Sequence, residues 1–255
     1  MSPEETDPMA SRAPQGTPVI DDSPARAILA HADDNMVLAQ RLGGWISHAP
    51  DLELDIAFGN IALDHLGVAR ALYTLVGGLE GRNRDEDDLA MHRSEREYTN
   101  LLLVEQPNGD FATTIVRQVF FDLYQRGLWE TLARSDLPDL AGIAARAAKE
   151  NAYHLEFSGN WLVRLGDGTE ESHRRSQTAV DNLWRFTGEM FDGPQAGLRQ
   201  RWEEDVLALL TEATLSPPDD AYQKSGGRDG FHTEHLGFLL AEMQWMARSY
   251  PGLRW

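Results

Sequence analysis

An all-α fold, a four-helix bundle with additional C-terminal helices, is the architecture this sequence predicts. Three observations carry it. Strand signals are nearly absent, whereas apolar residues recur at helical spacing from Ser23 to the end of the chain. Four of the helical segments are long, and they fall as two pairs with a charged crossover between them. No internal repeat or linker divides them, so 23–255 reads as one helical domain behind a tail of residues 1–22.

The tail, "MSPEETDPMASRAPQGTPVIDD", is rich in Pro, Ser, Thr, Asp and Gly and is expected to be disordered. It has neither the basic start nor the apolar stretch of a signal peptide. Ser23-Pro24 is an N-cap followed by proline at the first helical position. Ile28, Ala32, Val37, Ala39, Leu42 and Trp45 continue that helix to about Ser47. Pro50 opens a second helix through Leu54, Phe58, Ile61, Ala62, Leu66, Ala69, Leu72, Tyr73 and Val76. Because its apolar residues lie on several sides, it is expected to be central, with Gly59 and Gly67 allowing close helix approach.

The run "GRNRDEDDLAMHRSEREY" reads as a solvated crossover with at most one exposed helical stretch, and "EQPNGD" as a turn. A third helix covers Phe111 to about Arg134. A fourth, introduced by Asp136, Leu137 and Pro138, runs from about Leu140 to Leu165 and ends at "GDG". Thr169 is the N-cap of a fifth, to Phe191. Segments of about Leu198–Leu215 and His232–Tyr250 complete the chain, separated by "SPPDDAYQKSGGRDG".

Composition excludes several function classes. With no cysteine, thiolate metal sites, disulfides and cysteine nucleophiles are ruled out. No apolar run reaches the roughly 18 residues a spanning helix needs. The formal charge of −18, from 41 acidic against 23 basic residues, repels phosphate backbones and anionic membrane surfaces, so neither nucleic acid nor membrane is an expected partner. A soluble, cytoplasmic chain is the expectation. No G-x-S-x-G occurs, and the loops at Gly166-Asp167-Gly168 and Gly226-Gly227 follow no strand, so nucleotide fingerprints are absent too.

The motif that raises a chemical question is "KENAYH", Lys149 to His154. Helical bundles can hold two iron ions with a Glu from each of two helices and a Glu-x-x-His from each of the other two. An i, i+3 pair shares one helix face, carboxylates bridge the ions, and each imidazole completes one shell. Here the residue three before His154 is Asn151. Glu170-x-x-His173 fits the pattern better but opens a helix, where acidic residues serve as caps. "HTEH", His232 to His235, places two imidazoles on one helix face; it lacks the zinc-protease order and reads as structural, with an interface role as the alternative. Asp64, in an apolar helix, requires a partner such as Arg70 or an amide. Trp245 and Trp255 are either core or interface anchors.

Five long blocks, "HADDNMVLAQRLGGWISHAP", "NIALDHLGVARALY", "KENAYHLEFSGNWLVRLGDGTEESHRR", "LWRFTGEMF" and "GFHTEHLGFLLAEMQWMARSYPGLRW", resemble the C subunits of bacterial phenylacetyl-CoA epoxidases. These belong to the multicomponent ring-1,2-monooxygenase of aerobic phenylacetate degradation, and the similarity extends from about Ser23 to Trp255. The resemblance implies a ferritin-like fold and a hetero-oligomer, A2C2, with a homologous catalytic A subunit that carries the di-iron centre and binds the thioester. It also implies NADPH and oxygen as co-substrates and a separate reductase with flavin and iron-sulfur groups.

Against the ligand pattern of the catalytic relatives, the first-helix Glu falls on Asn35, the second-helix pair on His65 and Val68, and the fourth-helix pair on Asn151 and His154. Asp122 is the nearest acidic residue for the third helix. On that alignment two carboxylates are amides, one is a histidine and one imidazole is a valine. Asn binds only through a neutral carbonyl and Val not at all, so no di-iron centre, and no catalytic or cofactor-binding residue, is expected in this chain. A hydrogen-bonded polar layer is the expectation, and a single zinc or nickel ion at His65, His154 and Asp122 the lesser alternative. The function implied is that of a non-catalytic scaffold supporting the A subunit. An independent metalloprotein or oxidase with a single-metal site, and a helical adaptor unconnected with oxygen chemistry, are the competing readings.

Overall fold

The computed structural model describes residues 24–219 and 222–252. The expected disordered tail, the Ser23 cap and Trp255 lie outside them. Among the described residues there are nine α-helices: α1 (Pro24–Gly43), α2 (Leu52–Glu80), α3 (Glu86–Met91), α4 (Phe111–Leu132), α5 (Pro138–Gly166), α6 (Glu170–Leu183), α7 (Arg199–Glu212), α8 (Glu234–Met243) and α9 (Trp245–Ser249). No strand occurs among them.

Helix α1 packs along α2 and α4 along α5, each pair joined by a short connection, and α2 packs on α5 to close the bundle. The long crossover from α2 to α4 is the connection that distinguishes this topology from a simple up-down bundle. Helices α6 and α7 lie against α4 and α5, and α8 against α1. The core runs through Leu38, Phe58, Tyr73, Phe120, Phe121 and Trp129, all buried.

The helix ends follow local chemistry. Asp51, Asp110 and Thr169 accept from the amides of Leu54 (2.8 Å), Thr113 (2.9 Å) and Ser172 (3.1 Å), so each satisfies an otherwise unpaired first-turn donor. The second helix is thus started by Asp51 rather than Pro50. At the other end of α5, Gly166 admits a close approach: a Cβ there would sit 2.0 Å from the carbonyl oxygen of Ala213.

Several expectations are corrected. Helix α2 is not buried all round: Leu52, Ile56 and Leu63 are 70, 55 and 64 % exposed. They recur at i, i+4 and i+11, which is one stripe of a 3.6-residue helix. A Cβ added at Gly59 or Gly67 would meet nothing within 4 Å, so neither glycine serves a close helix contact. His232 precedes α8 instead of sharing a helix face with His235, and the last segment breaks at Gln244, whose side chain donates to the carbonyls of Ala90 and Arg93 at 3.0 Å each. Helical register also ends earlier than Phe191, in short 3-10 turns after Leu183.

The crossover is corrected too, because it is partly interior. Tyr98, Asn100, Leu101, Leu102, Leu103 and Val104 are buried although most of this stretch is irregular, so their amides need partners from elsewhere. Buried carboxylates supply them. Asp33 accepts from the Thr99 amide (2.9 Å), Asp34 from Leu101 (2.7 Å) and Glu189 from Leu102 (3.0 Å). The same Glu189 accepts from the Gly226 amide (2.8 Å), and Glu105 accepts from the Thr233 amide (2.7 Å). Arg228 closes the arrangement with a two-point pair to Asp34, at 3.0 and 2.8 Å. The acidic excess is therefore not all surface: part of it ties the crossover and the 226–233 loop to α1.

Candidate functional site

The six aligned positions come together. Asn35 on α1, His65 and Val68 on α2, Asp122 on α4, and Asn151 and His154 on α5 are all buried and form one layer across the four core helices. The i, i+3 spacing of His65 with Val68 and of Asn151 with His154 turns each pair to the same side of its helix.

Hydrogen bonds fix the state of each group. The Asn35 amide nitrogen donates to the carbonyl of His31 (2.8 Å), which leaves Asn35 Oδ1 as an acceptor. That oxygen accepts from His65 Nδ1 (2.8 Å) and Gln125 Nε2 (3.0 Å), so the His65 proton sits on Nδ1 and its Nε2 carries the lone pair. Asn151 Nδ2 donates to the Asp122 carbonyl at 3.0 Å. The Asp122 carboxylate accepts from Gln118 Nε2 (2.7 Å) and Ser158 Oγ (2.8 Å). His154 Nε2 lies 3.0 Å from Asp64 Oδ2, so this nitrogen carries the proton toward the carboxylate.

Asp64 is thereby corrected in two respects. Its partner is His154, whereas Arg70 pairs with Glu86 (3.2 Å); and its side chain is 37 % exposed, so it is no buried charge.

Burial sets the protonation of the layer. It holds His65 well below the ordinary histidine range, with the neighbouring His154 adding to the effect. It pushes Asp122 up to about 6, against the opposing influence of His154 and the hydrogen bonds from Ser158 and Gln118.

The residues do not fit a pair of iron ions. Asp122 is the one carboxylate among the six positions. Asn35 Oδ1 is neutral and already engaged by two N–H groups, Asn151 offers a neutral carbonyl, and Val68 offers nothing. Two iron ions need several anionic oxygens to offset and bridge their charge, and this layer lacks them.

Gln118, Gln125 and Ser158 complete the layer, although the ligand alignment does not point to them. A signal for the first two exists: Gln118, Asp122 and Gln125 form a polar stripe at i, i+4 and i+7 in the apolar run "QVFFDLYQ". The other histidine motifs serve structure. His173 Nδ1 meets the Gly166 carbonyl (2.8 Å) beside the Thr169 cap, and His232 bridges Glu105 (2.8 Å) and the Tyr98 carbonyl (2.9 Å).

A four-helix bundle with one long crossover, a polar layer at mid-height and helices appended behind it is a ferritin-like protein, here with a layer poor in carboxylates. Comparison with known proteins identifies which. The family model described as "Phenylacetic acid catabolic protein" matches residues 11–255. Over 237 residues the chain is 48 % identical to the C subunit of the 1,2-phenylacetyl-CoA epoxidase of Escherichia coli (strain K12), a match that covers 88 % of this chain and 95 % of that protein. The chain belongs to the phenylacetic acid catabolic protein family.

Proposed function

We propose that this chain is a non-catalytic structural subunit of a phenylacetyl-CoA 1,2-epoxidase, a multicomponent monooxygenase of aerobic phenylacetate degradation in the cytoplasm. It packs against and stabilises a homologous catalytic A subunit, in an A2C2 hetero-oligomer. The di-iron centre belongs to that partner, and flavin and iron-sulfur groups to a separate reductase. The observation that carries the reading is the donor set of the central layer: one buried carboxylate, two amides, two imidazoles and a valine stand at the six aligned positions. A helical frame retained without the anionic ligands for iron chemistry suits support of another chain's site, which works only when its surrounding helices are rigidly placed.

Two further features support the packing half of the proposal. The relative of high identity bears the name of a subunit. Leu52, Ile56 and Leu63 expose large apolar side chains along one stripe of α2, of the kind that marks protein contacts. The net charge of −18 favours a reading in which most contacts to a polyanionic coenzyme A moiety come from the partner.

Native mass spectrometry of this chain co-expressed with the A subunit, with metal quantification on each after separation, tests the whole reading. The expected result is a hetero-oligomer containing both chains in equal number, with iron confined to the A subunit. Iron near two per chain in this polypeptide alone, or no complex with the A subunit, overturns it.

A further inference from the structure

We propose that the central layer is a site for one divalent cation of the zinc type, held by His65 Nε2, His154 Nδ1 and a carboxylate oxygen of Asp122, with a structural role. The donor set that is too poor in charge for two irons has the composition of a mononuclear site: two imidazoles and one carboxylate.

The first argument is convergence. One ligand atom from each of His65, Asp122 and His154 lies within 4.8 Å of the others, and all three residues are buried. Around a tetrahedral ion with bonds of about 2.0–2.2 Å, neighbouring ligand atoms stand roughly 3.4 Å apart, so side-chain rotation of about an ångström brings the set to bonding distance. Gln118 Nε2 donates to Asp122 Oδ1 (2.7 Å) and lies 3.4 Å from His65 Nε2, so it holds the two ligand atoms toward one point and its amide is what an entering ion displaces.

The second argument is what the layer leaves over. The proton of His65 is fixed on Nδ1 by Asn35, and that of His154 on Nε2 by Asp64. Each ring therefore turns a lone pair inward while an oxygen behind it sets its tautomer, the arrangement by which metal-bound histidines are oriented. His154 Nδ1 has no hydrogen-bond partner among the described residues although the residue is 2 % exposed, and neither has Asn151 Oδ1. Buried polar atoms without partners are costly, and a cation bound at His154 Nδ1 removes that cost there.

The third argument is space. A cavity of about 10 Å³, room for roughly one water-sized particle, borders both imidazoles together with Asn35, Asp64, Val68 and Asn151; Asp122 does not line it and joins the two histidines through side-chain rotation. Val68 offers no ligand atom, so the donors present suit one ion. Asp64, partly exposed at its rim, offers the path from solvent. Magnesium and calcium, which take oxygen ligands, are disfavoured by the two nitrogens.

The test uses the full-length chain without a histidine tag, stripped of metal and titrated with Zn2+ by calorimetry and with Co2+ by visible absorption. The expected result is saturation at one equivalent with a dissociation constant of about a micromolar or tighter, and visible Co2+ bands of a four- or five-coordinate ion. His65→Gln and Asp122→Asn each weaken binding by at least about tenfold. X-ray absorption of the zinc-loaded, unsubstituted chain reads the ligands without any variant that has to fold, and is expected to show two imidazoles. Absence of saturable binding, absence of imidazole scattering, or binding undiminished in folded His65→Gln overturns the proposal, the last because it places the ion on surface histidines.

Discussion

Arg93, in the crossover, forms a two-point ion pair with Asp33 of α1, and both side chains are almost fully removed from solvent, at 4 and 0 % exposure. The pair joins residues 60 apart in sequence. Asp33 also accepts from Tyr73 Oη (2.7 Å) and from the amide and hydroxyl of Thr99 (2.9 and 3.0 Å), while Arg93 donates to the Glu97 carbonyl (2.8 Å) and lies over the Tyr98 ring at 4.3 Å. One carboxylate thus fixes α1, α2 and the crossover relative to each other.

Removing only the cation leaves Asp33 charged, buried and partly unmatched. Arg93→Met is expected to cost about 3–5 kcal/mol, measured as a lowered urea midpoint at pH 7. The double variant Asp33→Asn/Arg93→Met is expected to recover part of that loss, since no unpaired charge remains. A loss below about 1 kcal/mol for the single variant would show that water reaches the pair.

His232 gives the molecule a pH-dependent fastener. Burial works against its charged form, but hydrogen bonds to the Glu105 carboxylate and the Tyr98 carbonyl prevail and raise its pKa above the ordinary value. A histidine bound more tightly to its proton when folded stabilises the fold below the unfolded pKa, near 6.5, and loses that contribution as pH rises through the folded value. His232→Gln is therefore expected to be more destabilising at pH 5.5 than at pH 9. Urea unfolding at both pH values checks it, and an equal loss at each would refute the role of the charge.

The stripe on α2 predicts a separation between stability and assembly. Ile56→Glu/Leu63→Glu alters side chains that are mostly exposed, so the isolated chain is expected to change by no more than about 0.5 kcal/mol per site. Its association with the A subunit is expected to weaken at least about tenfold, read by competition in native mass spectrometry. Unchanged association would move the contact to another face.

How much of this was legible in the sequence differs by the range of the interaction. The long helices, the Thr169 cap and the co-location of Asn35, His65, Asp122, Asn151 and His154 depend on local spacing or on family resemblance, and these were readable; the Asp51 and Asp110 caps were not picked out. The Asp33–Arg93 pair was not, because "RSEREY" has the composition of a solvated run and nothing local reveals a carboxylate 60 residues away. Periodicity likewise showed that α2 is apolar on several sides without showing which side its own chain covers. Asp64 was expected to find Arg70 or an amide; its contact with His154 depends on how α2 meets α5, a tertiary fact.

The shortage of charge in the central layer makes a constructive prediction. If donor identity alone separates this bundle from an iron-binding one, restoring the missing ligands should restore the metal. Asn35→Glu, His65→Glu, Val68→His and Asn151→Glu together, with Asp122 and His154 retained, supply four carboxylates and two imidazoles at the aligned positions. The expected outcome is a rise from no iron pair to nearly two ferrous ions per chain on anaerobic reconstitution, measured by metal analysis. Three added carboxyl groups and one imidazole in the core are expected to make the metal-free variant less stable than the parent, and iron to return part of the loss because it binds only the folded state. A folded variant that still takes up no iron would locate the barrier in helix spacing, so that the layer's geometry, and not only its chemistry, has turned away from oxygen activation.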